Sequence, residues 1–208
     1  MTFVKICGIT NLPDALTAVD AGADALGFNF YRPSPRYIEP WKAHEIIDQL
    51  PSNVLTAGVF VNEESPESVR RIATVAGVSA LQLHGDESPD YCEELGDQYV
   101  IKVLGVGNGF DVRQAVAYRV EAIMLDARDD SLRGGTGRVI DWSTAQAVRN
   151  LVPKLFLAGG LSPENVHQAI AAVSPYAVDA CSALEDVPGR KNHERLRAFV
   201  KCVRDVKP

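Results

Sequence analysis

VLTAGVFVNEESPESVRRIATVAGVSALQL, residues 54–83, spells out one complete folding unit. It opens with an apolar run, Val54 to Val61, that is nearly continuous rather than alternating apolar and polar. Strands covered on both faces read that way, as strands of a parallel sheet do. A helix follows: Ser65 is placed to cap it, Pro66 suits its first turn, and Val69, Ile72 and Ala73 form an inward stripe. Gly77 ends it, and a second apolar run, Ala80 to Leu83, begins at once. Strand, helix and strand in this spacing make a crossover unit joining parallel neighbours.

The same unit recurs in both directions. Further runs lie at Phe3 to Ile6, Ala25 to Phe28, Val100 to Leu104, Ala122 to Leu125, Leu155 to Ala158, and Ala177 to Val178, eight in all. Between the first two, Thr10 or Asn11 can cap a helix with Pro13 in its first turn, Leu12, Ala15, Leu16 and Val19 at helical spacing, and Gly22 as terminator. SPENVHQAIAAV repeats the plan, with Ser162 as cap and Val166, Ala169, Ile170 and Val173 inward. Eight strands with about eight helices predict an α/β fold, a single (β/α)8 TIM barrel over residues 1–208. The 208 residues leave about 26 per unit, near the lower bound of that fold. An open doubly wound sheet is the alternative. Polar or glycine-rich sequence after almost every strand favours the closed ring.

Composition narrows the function. The net charge of −6 offers no basic stripe to neutralise phosphates, which argues against nucleic acid as a partner. No apolar run reaches 18 residues, so no membrane span is expected. MTFVKICGIT does not read as a secretory signal, which makes the cytoplasm the expected location. Cysteines at 7, 92, 181 and 202 show no CxxC, and the four histidines show no HxH or HExxH, so neither a disulfide framework nor a metal is expected. GVGNG at 105–109 fails the GxGxxG spacing, and GGTG at 134–137 lacks the Lys-Ser/Thr of a P-loop, so no nucleotide cofactor is expected.

In this fold, function gathers in the loops after the strands. Cys7 follows strand 1, and its thiol serves either as a reactive group at the mouth or as a buried packing residue. Arg36, in the proline-stiffened RPSPRYI loop after strand 2, suits a forked grip on a carboxylate; its alternative is a solvated charge. His84 follows strand 4, to contact ligand or loop backbone. Asp126 ends strand 6 with limited solvent, as a general acid or as a loop cap or arginine partner. Gly159 and Gly160 follow strand 7, where backbone amides can approach a phosphate closely or merely make a tight turn. Asp179, Cys181, Ser182 and Ala183 follow strand 8, and the backbone around 181–183 can complete a phosphate site. Arg128 to Arg138 is long, charged and glycine-rich, either a lid or a solvated loop.

The blocks KICGIT (5–10), ALGFNFYRPSPRYI (25–38), GVFVN (58–62), LQLHGDE (81–87), IKVLGV (101–106), MLDA (124–127), GGTG with DW (134–137, 141–142), LAGGLSPENV (157–166) and VDACSALEDVPGRK (178–191) resemble, in order, the phosphoribosylanthranilate isomerase family of tryptophan biosynthesis. The resemblance implies an Amadori rearrangement of N-(5-phosphoribosyl)anthranilate to the 1-deoxyribulose aminoketose, without cofactor or metal. By the same resemblance Cys7 is the general base, Asp126 the general acid and Arg36 the carboxylate partner. His84 and Asp179 fall among the substrate-binding positions. Gly159, Gly160, Cys181, Ser182 and Ala183 fall in the phosphate site. The implied partner is the phosphosugar-anthranilate substrate, on a monomer or a homodimer.

Some residues depart from the family pattern. Cys181-Ser182-Ala183 stands for Ser-Ser-Gly, Asn192 for Asp, and Ile140 for an aromatic. Ala183 narrows the φ available where glycine is usual. If the barrel closes, Cys7 and Cys181 are neighbours, and a bridge requires their Cα atoms within about 7 Å. Two other readings stand beside this one: a sister isomerase acting on the histidine-pathway aminoaldose, and a non-catalytic phosphosugar-binding barrel.

Overall fold

Residues 1–107, 109–127 and 141–206 are described by a computed structural model. Eight parallel strands form its centre: β1 (Phe3–Ile6), β2 (Ala25–Asn29), β3 (Leu55–Phe60), β4 (Ala80–Leu83), β5 (Tyr99–Val106), β6 (Ala122–Ala127), β7 (Leu155–Leu157) and β8 (Ala177–Ala180). They hydrogen-bond in sequence order, and β8 returns to β1, so the sheet is a closed barrel. The expected (β/α)8 architecture is therefore the one observed, and the open-sheet alternative falls away.

The helices are α1 (Leu12–Ala21), α2 (Pro40–Ile47), α3 (Pro66–Ala76), α4 (Pro89–Glu94), α5 (Trp142–Arg149), α6 (Val166–Val173) and α7 (His193–Arg204). Asn11 and Ser65 cap α1 and α3 with their side chains, and Gly22 and Gly77 end them in the left-handed conformation. Three expectations change. Among the described residues, the crossover from β5 to β6 is a 3₁₀ helix, Val112–Ala117, rather than an α-helix. On α1 the inward face carries Asp14, Ala15, Thr17 and Ala18, while Leu16 is exposed. Asp14 turns inward because it bonds the His193 ring at 2.8 Å and the Lys191 N–H at 2.8 Å, which fixes the helix rotation. Ser162 does not cap α6. A turn intervenes, and the helix starts after Asn165, whose side chain accepts from the Ser162 N–H and donates to the Gly160 carbonyl.

The period of two along each strand separates two cores. Val4, Ile6, Val100, Ile123, Leu125, Leu155, Leu157 and Val178 pack outward under the helices. Ile101, Val103, Ala122, Met124, Phe156, Ala158 and Ala177 fill the barrel, with Phe3 and Tyr99 against them. At the N-terminal end Phe3 stacks on Tyr176, and Lys154 sits over the rings of Tyr99 and Tyr176 at 5.1 and 5.3 Å. Continuing the inward parity toward the other end reaches Lys5 and Cys7, Gln82 and His84, Asp126, and Asp179 and Cys181. The polar mouth is thus an extension of the same alternation that fills the barrel.

After β8 the chain makes a small hairpin, β9 (Glu185–Val187) and β10 (Arg190–Lys191), turning at Pro188-Gly189. The Thr10 hydroxyl donates to the Gly189 carbonyl at 2.5 Å, tying the hairpin to the loop after β1.

Candidate active site

Cys7 continues the β1–β8 ladder. The pairs Phe3↔Ala177 through Ile6↔Ala180 are in register, and the Cys7 N–H donates to the Ala180 carbonyl at 2.9 Å. That bond is the one a Cys7–Cys181 pair makes in a parallel ladder. The sulfur is buried over Gly27: a Cβ built there would lie 2.7 Å from it. Below it Lys5, fully buried, donates to Asp179 at 2.8 Å. Burial pulls the Lys5 ammonium down, but Asp179 and Cys7 more than offset that and keep it charged. Burial pushes the Asp179 carboxyl up, to about 6, against the pull of Lys5. The Cys7 thiol is held well below its usual range, first by a hydrogen bond from the Cys181 thiol, then by the charges of Lys5 and Lys191, against the opposing effect of burial. The Cys181 thiol is pushed correspondingly up by donating to Cys7. The sulfur at 7 therefore sits where a thiolate is favoured, which a purely packing cysteine does not need.

Asp126 stands on the far side of the mouth, at the end of β6. Its Oδ2 lies 3.3 Å from His84 Nε2, and its side chain is 15% exposed. His84 is oriented from behind by Gln82, whose Nε2 is 3.2 Å from Nδ1. Asp126 Oδ1 also accepts from the Ala127 N–H at 2.9 Å, the local capping contact its alternative reading calls for, and among the described residues the His84 ring meets the Gln82 and Asp126 side chains. Asp126, Ala158, Gly159, Gly160, Asp179, Cys181, Ser182 and Ala183 line one cavity. Gly159 and Gly160 have φ of 81° and 68°, conformations that favour glycine at both positions. Ala183 lies in a 3₁₀ turn, Ser182–Leu184, and is absent from the left-handed region, where the described non-glycine residues are Asn62 and Ser174. Alanine therefore costs the loop no backbone strain. Asn192 caps α7 by accepting from the Arg195 N–H, a task an aspartate performs equally well.

Arg36 is not a solvated charge. Its Nε donates to both Glu185 carboxylate oxygens at 3.0 Å and its Nη2 to Oε2 at 2.7 Å. Lys191, fully buried, donates to Glu185 Oε1 at 2.9 Å. Burial pushes the Glu185 carboxyl up, but Arg36 and Lys191 outweigh it and hold it below the usual carboxylate range. Gly8, at φ 76°, makes room for this group: a Cβ there would fall 2.8 Å from Arg36 Cδ and 2.8 Å from Cys181 Sγ. Glu185 and Lys191 are site residues that the residue-by-residue reading missed. The signal was the Pro188-Gly189 turn, which folds position 185 back onto 191 as register partners.

The loop at 128–138, read as either a lid or a solvated loop, the GGTG at 134–137 and Ile140 lie outside the described residues. Among the described residues, no group of three or more His, Cys, Asp or Glu side chains is arranged to hold a metal ion. No helix among them is long and apolar enough to cross a membrane.

The family model for N-(5'phosphoribosyl)anthranilate (PRA) isomerase matches residues 4–202. N-(5'-phosphoribosyl)anthranilate isomerase of Thermotoga neapolitana is 50% identical over 97% of this chain and 98% of its own length. That of Desulforudis audaxviator is 49% identical over 99% and 100%. The crystal structure of the Thermotoga maritima enzyme superposes with a TM-score of 0.92 at 44% identity, covering 99% of this chain and 100% of its own. A structure in complex with reduced 1-(o-carboxyphenylamino)-1-deoxyribulose 5-phosphate superposes at 0.89 and 43%, with the same coverage. The chain belongs to the N-(5'-phosphoribosyl)anthranilate isomerase family of enzymes.

Proposed function

We propose that this chain converts N-(5-phosphoribosyl)anthranilate to 1-(2-carboxyphenylamino)-1-deoxyribulose 5-phosphate, with Cys7 as general base and Asp126 as general acid. The observation that carries the reading is the inner-face arrangement of the mouth. A sulfur favoured as thiolate just after β1 and a largely shielded carboxyl on β6 face the mouth, with Asp179 between them and glycine-lined backbone alongside. Asp126 delivers a proton to the furanose ring oxygen. The C1–O bond breaks as the anthranilate nitrogen pushes in, leaving an iminium. The iminium acidifies the C2–H, and the Cys7 thiolate removes that proton. The resulting enolamine tautomerises to the ketone. Lys5, locked to Asp179, keeps positive charge beneath the thiolate. The loops at 159–160 and 182–183 take the phosphate through backbone amides, and Arg36 takes the anthranilate carboxylate. A Thermotoga maritima relative is described as a dimeric protein from which monomers have been generated, which keeps both states open to this chain.

The test is turnover by Cys7→Ser and Asp126→Asn. General acid–base groups contribute about 10²–10⁴-fold, so each change lowers kcat by that order. Affinity for the reduced product analogue stays within a few-fold of the parent. Turnover at the parent rate in either variant refutes the assignment.

A further inference from the structure

We propose that Glu185 is a positioning residue for recognition of the substrate's carboxylate, acting through Arg36. The inference rests on the reading of Arg36 given above and extends it to a residue outside that mechanism. A guanidinium has two edges that can grip a carboxylate in a forked manner. Glu185 occupies the Nε–Nη2 edge of Arg36, with bonds of 3.0, 3.0 and 2.7 Å. The Nη1–Nη2 end is the second edge, the one a ligand carboxylate would use. One carboxylate, built into the protein, thus aims the arginine at another.

The charges agree with this use. Arg36 and Lys191 bring two positive charges and Glu185 one negative, with side-chain exposures of 16%, 0% and 3%. These three groups sum to one net positive charge, and Lys191 also faces the Cys7 thiolate that it helps to hold ionised. Lys191 supplies what a buried Glu185 needs besides Arg36, and the Gly189 N–H donates to the same Oε1 at 3.2 Å. The scaffold is the hairpin: Glu185 and Lys191 are register partners across it, and the Lys191 N–H is itself fastened to Asp14 on α1. Arg36 arrives over Gly8, where an added Cβ would force Arg36 or Cys181 to shift. The aim of the guanidinium is thus set by three separate segments, which exceeds what an isolated surface ion pair requires.

The experiment compares KM for N-(5-phosphoribosyl)anthranilate with KM for the phosphoribosyl-aniline analogue that lacks the carboxylate, in the parent, Glu185→Asp, Glu185→Gln and Arg36→Met. Glu185→Asp keeps the charge but shortens the reach by one methylene. A positioning role raises KM for the anthranilate substrate by about tenfold in Glu185→Asp, about 1.4 kcal/mol, while KM for the analogue and kcat stay within about threefold. Glu185→Gln raises the same KM even though it makes the cluster more positive. If Glu185 were only a counter-charge, Glu185→Asp would match the parent and Glu185→Gln would bind the acid more tightly; either result overturns the inference. Should Glu185→Gln fail to fold, Glu185→Asp decides alone. Arg36→Met separates the two levels. If it leaves the ratio of the two KM values unchanged, the carboxylate role of Arg36 itself fails. If it collapses that ratio while Glu185→Asp leaves it intact, only the positioning role fails.

Discussion

Replacing Gly27 by alanine is expected to disable the base while leaving the barrel folded. Gly27 lies on β2 beside Cys7, with its backbone outside the left-handed region, so alanine meets no φ penalty. The added Cβ would fall 2.7 Å from Cys7 Sγ, 3.0 Å from Lys5 Nζ and 3.2 Å from Cys7 Cα. Comfortable contacts are about 3.5–4.0 Å, so the sulfur must move by about 1 Å. It cannot carry its backbone along, because the Cys7 N–H is bonded to Ala180, and Lys5 is held by Asp179 at 2.8 Å. Overpacking costs about 1–3 kcal/mol, partly offset by the ~0.5–1 kcal/mol gained when glycine leaves an extended strand. The net loss of up to about 2.5 kcal/mol lowers Tm by several degrees in a chain of this size. A 1 Å displacement of a reacting group costs about 10²-fold in rate, so kcat falls far more than stability does. The assay pairs saturating turnover with a thermal melt and with the rate at which iodoacetamide alkylates Cys7. Gly58→Ala is the control. Its Cβ would meet the Phe30 and Phe60 rings at 2.8–3.1 Å, so it strains the core without reaching Cys7. A Gly27→Ala protein that turns over within about threefold of the parent would refute the idea that the sulfur's present position is the reactive one.

Removing the Cys181 donor by Cys181→Ala raises the Cys7 thiol pKa, since that hydrogen bond is the largest effect holding it down. The acid limb of kcat/KM and the midpoint of Cys7 alkylation both move to higher pH, and an unmoved midpoint contradicts the assignment. Dilute peroxide is expected to oxidise the Cys7 thiolate to a sulfenic acid, releasing hydroxide, and the Cys181 thiol then displaces water to close a disulfide. Neighbouring strands lie about 4.8 Å apart, within the Cα range that a bridge tolerates. Mass spectrometry reads the loss of two hydrogens, and dithiothreitol restores activity; irreversible inactivation without that mass change speaks against the pair. Lys154→Met at the opposite end of the barrel removes two ring contacts, at 5.1 and 5.3 Å. At about 0.5–1 kcal/mol each it lowers Tm by a few degrees with kcat unchanged, and an unchanged Tm removes the contacts' structural weight.

The barrel was legible because its strands are buried on both faces, which leaves uninterrupted apolar runs such as Val100 to Leu104 that few other arrangements require. The mouth was legible for a related reason: the inward parity of β6 ends on Asp126, and that of β1 and β8, taken one step past the strands, lands on Cys7 and Cys181. Finer features depended on contacts no local pattern contains. Leu16 satisfies the helical stripe as well as Thr17 violates it, yet the bonds from Asp14 to α7 and to Lys191 rotate the helix the other way. Ser162 resembles a cap, but Asn165 bridges Ser162 and Gly160 and delays the helix. Glu185 itself carries no local signal, because its two cations come from residues 36 and 191 and meet it only when the barrel closes.

The seam between β1 and β8 joins the beginning of the sheet to its last strand, which starts at residue 177. On a ribosome, β1 is made well before β8 and waits with one side unpaired until residue 177 has followed it. An edge left open that long is a template for aggregation or mispairing. Arg204 on α7 reaches across this seam to the Thr2 and Gly22 carbonyls and to Asp24, so the final helix also latches the closure. Cys7 is made long before Cys181 and Lys191, and a chain still short of them is thereby born without a competent thiolate.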